Sequence, residues 1–229
     1  MIGITFALPT ESSDLRRHLR EVRRDGGLFF GKIDNRDVAL LHTGVGAKDC
    51  NARIETLFHK ARPRLMISSG FAGAVGEDLN VGDLLLAENF SDRELRANAE
   101  RILRDHNPRV VKLFTSTSIV DSDAERSEIA RASGAASVDM ETGAIAGVCG
   151  AHGIPLLSLR AISDSPRDPF PAPASILFDV ERQATNYGRL AAYLLRYPAS
   201  IPRLLRFSKQ IGRAREKLTD GILALIREF

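Results

Sequence analysis

The stretch Ser137-Val138-Asp139-Met140-Glu141-Thr142-Gly143-Ala144 is followed, one apolar run later, by Arg160-Ala161-Ile162-Ser163-Asp164. The first segment places two acids just before an apolar helical pattern. The second delivers another acid, beside an arginine, at the C-terminal end of a strand predicted over 156–162. In open α/β sheets, ligands sit in the crevice outside the C-terminal ends of the strands. Both segments are therefore candidate walls of a binding site. Apolar runs alternate with amphipathic segments along the chain, which argues for an α/β fold.

The flanking elements follow from the same reading. Residues 1–8 read as a strand and 11–23 as a helix with Thr10 as its N-cap. Residues 28–33 and 37–42 read as a hairpin closed at Asp34-Asn35. Thr43-Gly44-Val45-Gly46 is a turn before a helix at about 47–60. A buried strand at 65–69 leads into the small-residue loop Gly70-Phe71-Ala72-Gly73, and a strand at 83–88 follows. Helices are predicted at 91–106, 123–132, 140–152 and 174–196. A strand is predicted at 110–115, a short one ends at Val138, and 164–173 is a proline-rich loop. Beyond Tyr197-Pro198, residues Ile211, Ala214, Leu218, Ile222, Leu225, Ile226 and Phe229 recur at helical spacing, with arginines and lysines on much of the other face. This predicts a main domain over 1–197 and a basic amphipathic helical tail over 198–229.

The bulk numbers are those of an ordinary globular chain. With 229 residues it can bury a real core. Hydrophobic content is 44% and charged content 27%. The first residues read as a strand rather than a signal peptide, and no long uncharged apolar run is found, so a cytoplasmic protein is expected. Cys50 and Cys149 are isolated and read as free thiols. The net charge of +3 is unevenly placed: residues 196–229 hold eight lysines and arginines against three acids, which leaves −2 for the rest. The pI of 9.1 is thus largely a C-terminal property.

Several motifs recur here in one order: the opening strand with Glu11 downstream, the Thr43-Gly44-Val45-Gly46 turn, and Ser69-Gly70-Phe71-Ala72-Gly73 with Val81-Gly82-Asp83 after it. Val138-Asp139-Met140-Glu141 and Arg160-Ala161-Ile162-Ser163-Asp164 complete the set. Over residues 1–195 the chain resembles the nucleoside phosphorylase and nucleosidase superfamily, of the purine nucleoside phosphorylase and methylthioadenosine/adenosylhomocysteine nucleosidase type. The resemblance implies a three-layer α/β/α fold with a mixed, partly closed central sheet. It implies cleavage of the bond between ribose and a purine, no cofactor and no metal, and at least a homodimer.

Cleaving an N-ribosidic bond leaves electron density on the base and builds positive charge on the sugar. By analogy with the family, Asp164 is the acid toward the leaving purine, and it needs a raised pKa to hold its proton near neutrality. Glu141 accepts hydrogen bonds from the ribose hydroxyls and favours the ring's developing charge, while Met140 packs against the sugar. Glu11 is the base that activates water, and Arg160 orients that water or Glu141. Phe71, Ala72, Gly73, Ile119, Val120 and Ser163 face the base and its loop. Each residue also has a plainer structural reading: Ser163-Asp164 before Pro166 as a turn or helix cap, Glu141 and Glu11 as first-turn helix acids, and Arg160 in a structural ion pair.

Phosphorylases of the superfamily usually carry an arginine near an early loop and another just before the glycine loop. The corresponding segments, Phe6-Ala7-Leu8-Pro9-Thr10 and Ile67-Ser68-Ser69-Gly70, have none, which favours water over inorganic phosphate as nucleophile. Phosphorolysis is the alternative, and a non-catalytic nucleoside-binding protein a further one. In its C-terminal part the chain is similar to hopanoid-associated phosphorylase-like proteins, through Pro169-Phe170-Pro171-Ala172-Pro173, a long helix, Arg196-Tyr197-Pro198 and the basic tail. That similarity implies a lipid-linked adenosine as substrate and peripheral membrane contact through the tail. The tail packing on its own domain or on a second subunit is the competing reading. No interleaved aromatic platform supports nucleic-acid binding.

Overall fold

A computed structural model describes residues 1–46, 50–179 and 182–229. The first residues of the helix expected from 47, and positions 180 and 181 of the one expected over 174–196, lie outside the described residues. The chain opens with β1 (Ile2–Phe6), buried throughout. A turn and a 3-10 helix, Leu15–His18, lead to β2 (Arg20–Asp25), β3 (Leu28–Ile33) and β4 (Arg36–His42). The expected helix over 11–23 is thus replaced by a turn, a short 3-10 segment and a strand. The reason is the Gly26-Gly27 pair, both left-handed (φ 57° and 84°), which folds β2 back on β3 as a tight hairpin. The exposed arginines of β2 then lie over aromatic rings, Arg23 on Phe30 and Arg24 on Phe29. The predicted hairpin between β3 and β4 turns at Asp34 and Asn35, both left-handed.

After α1 (Cys50–Ala61) comes the long strand β5 (Leu65–Ala74), then β6 (Leu84–Ala87) and α2 (Arg93–Ile102). The predicted strand over 110–115 is two strands, β7 (Arg109–Val111) and β8 (Leu113–Thr115), because the chain changes partner at Lys112: β7 pairs with β6, and β8 with β9 (Ser137–Asp139). Helix α3 (Asp123–Ser133) precedes β9, and α4 (Thr142–Ala151) follows it. Then come β10 (Leu156–Asp164), α5 (Ala174–Leu177), α6 (Tyr187–Arg196) and α7 (Ile201–Glu228). The single helix expected over 174–196 is broken between α5 and α6, where Asp179 and Ala184 form an isolated antiparallel bridge.

The sheet order is β2-β3-β4-β1-β5-β10-β6-β7, with β9 and β8 branching from β5. β1, β4, β5 and β10 run parallel, whereas β6 is antiparallel to β10. Helices α1 and α4 cover one face through Ile54, Leu57, Ile145 and Val148. On the other, α2 and α7 pack on Ile2, Ile4, Leu157 and Leu159. This is the three-layer mixed α/β architecture.

One edge of β5 changes partner along its length. Residues Leu65 to Ser68 pair with β1, and Gly73 and Ala74 pair with β9. Between them the strand edge is free at Ser69, Gly70, Phe71 and Ala72. On the other edge β10 pairs with β5 until a bulge inserts Ser163 and brings Asp164 opposite Gly73. Bulges re-aim side chains at strand ends. The fork in the sheet therefore opens where β10 delivers its terminal acid.

The C-terminal half of α7 belongs to the core. Ala214, Leu218, Ile222, Leu225 and Ile226 are fully buried against the sheet, and a Cβ at Gly221 would lie 3.3 Å from Leu84 Cδ1. The N-terminal half is largely exposed, including Leu205 and Arg203. Ile222→Ala should destabilise the protein by about 3 kcal/mol by leaving a cavity. Arg203→Ala should change stability by less than about 0.5 kcal/mol. Chemical denaturation of both variants measures the contrast.

Candidate functional site

Each polar group at the fork is positioned by a local device. Glu11 sits in the turn after β1, where Glu11 N donates to Leu8 O and Leu8 N returns a 3.0 Å bond to Oε2. The carboxylate is 8% exposed and also accepts from the Phe71 backbone, on the free edge of β5. Gly70 makes this approach feasible: a Cβ there would lie 2.8 Å from Arg160 Nη1 and 3.2 Å from Glu11 Oε2, and its φ of 145° already suits glycine. Gly73 plays the same part for the other acid, since its Cβ would lie 3.1 Å from Asp164 Oδ2. The glycines of Gly70-Phe71-Ala72-Gly73 thus make room for two carboxylates.

Asp139, at the end of β9, anchors the start of α4. It accepts from Thr142 N at 3.1 Å, from the Thr142 hydroxyl, and from Thr115 Oγ1 at 3.0 Å, and it pairs with Arg160 at 2.9 Å. Arg160 is 2% exposed, and its Nη2 also donates to Ser68 Oγ and Thr142 Oγ1. Glu141 occupies the N-cap position of α4 but makes no side-chain cap bond. Instead its Oε1 accepts from Gly46 N at 2.7 Å, which ties α4 to the turn after β4. Asp164 is not a turn cap either: Ser165 Oγ closes the following turn by accepting from Asp168 N. Asp164 accepts from Ser163 Oγ at 2.6 Å and is ion-paired with Arg126 of α3, both side chains being 3% exposed.

These groups surround a cavity of about 150 Å³. Glu11, Met140, Glu141, Ser163 and Asp164 line it on one side, and Phe71, Ala72, Gly73, Ile119 and Val120 complete the wall. The structure thus brings together all the expected site residues except Arg160, which lies behind the wall. Ser118, Ile119 and Met140 also border a second, open cavity of about 670 Å³, flanked by Asp121, Phe178, Arg182 and Arg189. Val45, which lines the smaller cavity, is held by Gln183, whose side chain accepts from Val45 N at 2.6 Å and donates to Val45 O.

Asp139 and Arg126 were not among the expected site residues. Asp139 lies within the quoted motif, and its position two residues before Glu141 was the available signal. Arg126 has no local signal: an arginine on a helix otherwise bearing Glu125, Glu128 and Arg131 reads as solvent-facing.

Burial sets the proton affinities. Glu11 is raised because its charged form is desolvated, against the lowering pull of the Leu8 N–H and Arg160. Glu141 is pushed from 4.5 up to about 7, first by burial and then by the nearby charge of Asp139. Burial thus raises both Glu11 and Glu141, and Asp164 lies in a buried ion pair with Arg126.

Residues 1–100 and 87–198 match the phosphorylase superfamily. A 5'-methylthioadenosine/S-adenosylhomocysteine nucleosidase of Staphylococcus haemolyticus (strain JCSC1435) is 26% identical over 196 residues, 72% of this chain and 86% of that protein. Among solved structures, the Streptococcus pneumoniae MTA/SAH nucleosidase in complex with 8-aminoadenine superposes with a TM-score of 0.76 at 22% identity, covering 100% of this chain and 99% of that one. The futalosine hydrolase of Helicobacter pylori strain 26695 gives 0.74 at 18%, covering 100% and 97%. The solved structures share the fold.

The Glu141 shift has a checkable consequence. Between pH 4.5 and 7 the folded protein keeps a proton that the unfolded chain has released, so this group's contribution to stability falls as pH rises through that window, by about 3 kcal/mol in all. Glu141→Gln should remove this slope. His42, lowered to about 4 by burial, acts in the opposite direction but is common to both proteins. Denaturation at pH 5 and pH 8 should therefore show the variant gaining on the parent at pH 8.

Proposed function

The chain belongs to the phosphorylase superfamily, and from that premise we propose that it is an N-glycosyl hydrolase cleaving a purine nucleoside, with a 5′-substituted adenosine as substrate. The observation that carries this reading is the commitment of the buried arginines. Arg160 is held by Asp139, Ser68 and Thr142, and Arg126 by Asp164 and two backbone carbonyls. No lysine or arginine lines the cavity among the described residues, while Glu11, Asp139, Glu141 and Asp164 all do. Inorganic phosphate would enter beside carboxylates with no free cation among the described lining residues to meet it. Water carries no such penalty.

In this mechanism Glu11, whose proton affinity burial has raised, takes a proton from water as the oxygen attacks the anomeric carbon. Glu141 holds the ribose hydroxyls and, ionised, stabilises positive charge on the ring. Met140 packs on the sugar. Asp164 is the acid: it gives a proton to the departing purine between Ile119, Val120 and the Phe71-Ala72-Gly73 edge, matching the one that Glu11 takes from water. Arg160 acts from behind the wall, by holding Asp139 and the start of α4. The larger cavity past Met140 supports a substituent at the 5′ position, because Met140 borders both spaces.

The acid-free stretch 182–215 supports a lipid-linked form of that substrate and peripheral contact with an anionic membrane. It exposes Tyr187, Leu195, Tyr197 and Leu205 among Arg189, Arg196, Arg203 and Arg206. No helix among the described residues is long and apolar enough to cross a membrane. A second copy of the chain, in a homodimer, is the competing occupant of this face.

Base release from adenosine, methylthioadenosine, adenosylhomocysteine and a lipid-linked adenosine, each with and without phosphate, tests the reaction. Release should not depend on phosphate and should yield the free sugar. Glu11→Gln and Asp164→Asn should each slow it by about a hundredfold or more. Strict dependence on phosphate would replace hydrolysis by phosphorolysis. For the membrane reading, Leu195→Glu with Leu205→Glu should abolish co-sedimentation with anionic phospholipid vesicles. The parent failing to sediment would dismiss it.

A further inference from the structure

Among the described residues, Arg126 is a buried charge at the fork that the proposed mechanism leaves without a task. It projects from the first turn of α3, whose N-cap Ser122 accepts from Glu125 N. It is 2% exposed and does not line the cavity. Its guanidinium joins three segments: Nη1 donates to Ala74 O at the end of β5, and Nη2 donates to Val120 O before α3 and to Asp164 Oδ2 at the end of β10. Those segments carry Gly73, Val120 and Asp164, which all line the cavity, where the proposed mechanism puts the base.

We propose that Arg126 is a positioning residue for base recognition, acting through Asp164. A carboxylate at the end of a strand can rotate. Here Oδ2 is fixed by the guanidinium and Oδ1 by the Ser163 hydroxyl. A planar guanidinium constrains a carboxylate's direction as well as its charge. The carboxylate so fixed is aimed at the polar edge of a purine lying between Val120 and the Phe71-Ala72-Gly73 edge. Arg126 also holds Val120 O, so the apolar wall and the acid keep a constant separation. Lysine would retain the charge but lose the fork.

The inference rests on the proposed role of Asp164, and a double-mutant cycle separates the two. Adenine affinity is measured by calorimetry, and kcat and KM on methylthioadenosine, for the parent, Arg126→Met, Asp164→Asn and the double variant. Arg126→Met should weaken adenine binding about tenfold in the parent background and scarcely at all when Asp164→Asn is present. Arg126→Lys should recover part of the loss in the parent background and none in the other. Equal losses in both backgrounds would mean that Arg126 only supports the fold, and would overturn the proposal. If Asp164→Asn leaves binding and turnover unchanged, the role of Asp164 fails and the inference falls with it. Should Arg126→Met not fold, the cycle is run with Arg126→Lys, where an additive result overturns the proposal equally.

Discussion

Four carboxylates share a small buried space at the fork of the sheet, and the rest of the site depends on how their charge is tolerated. Isolated buried carboxylates are expensive, and they persist only when paired, hydrogen-bonded or protonated. The four residues use different solutions. Asp139 and Asp164 are each matched by a buried arginine, Arg160 and Arg126. Glu11 and Glu141 form no ion pair with an arginine among the described residues, and burial raises both above the ordinary carboxylate value. The arrangement separates two ion-paired aspartates from two glutamates poised to exchange protons.

That division rests on backbone geometry. β5 must leave β1 and join β9 for a free edge to exist, and the bulge at Ser163 must place Asp164 opposite Gly73. Glycine is then favoured at 70 by both φ and space, since a Cβ would lie 2.8 Å from Arg160 Nη1, and at 73 a Cβ would crowd Asp164 Oδ2 at 3.1 Å. Asp139 binds the start of α4 and so frees Glu141 from capping. Without that anchor, the Glu141 carboxylate would compete for the helix N–H groups rather than turn toward Gly46 and the cavity.

Much of this was legible in the sequence where a residue's chemistry coincided with a local geometric demand. The Asp34-Asn35 turn, the strand over 156–162, which runs on two residues to Asp164, and the apolar stripe of α7 are examples. Legibility failed where tertiary partners decide. Residues 11–23 look helical because arginine and leucine suit helices, yet the Gly26-Gly27 turn and two phenylalanine rings hold 20–25 as a strand. The helix expected over 174–196 breaks in the segment where Gln183 binds the Val45 backbone, a long-range contact with no local signature. Arg126 was invisible for a related reason. Its identity suggests a surface, and its buried partners include a carboxylate 38 residues away and a carbonyl 52 residues away.

The same charge pattern bears on how the proposed reaction gains its rate. Before charge develops on the ring, the ionised form of Glu141 is disfavoured by burial and by Asp139. A ribose ring gaining positive charge reverses that balance: the carboxylate becomes better solvated by the transition state than by its ground-state surroundings. Interactions stronger in the transition state than before it are the ones that accelerate a reaction. Glu11 contributes in the same sense, since a carboxylate with raised proton affinity accepts a proton from water more readily. A phosphate dianion would forfeit both effects, because its charge would hold the two glutamates protonated. The arginine pairs hold Asp139 and Asp164 in place while the charge of the two glutamates responds to the ring.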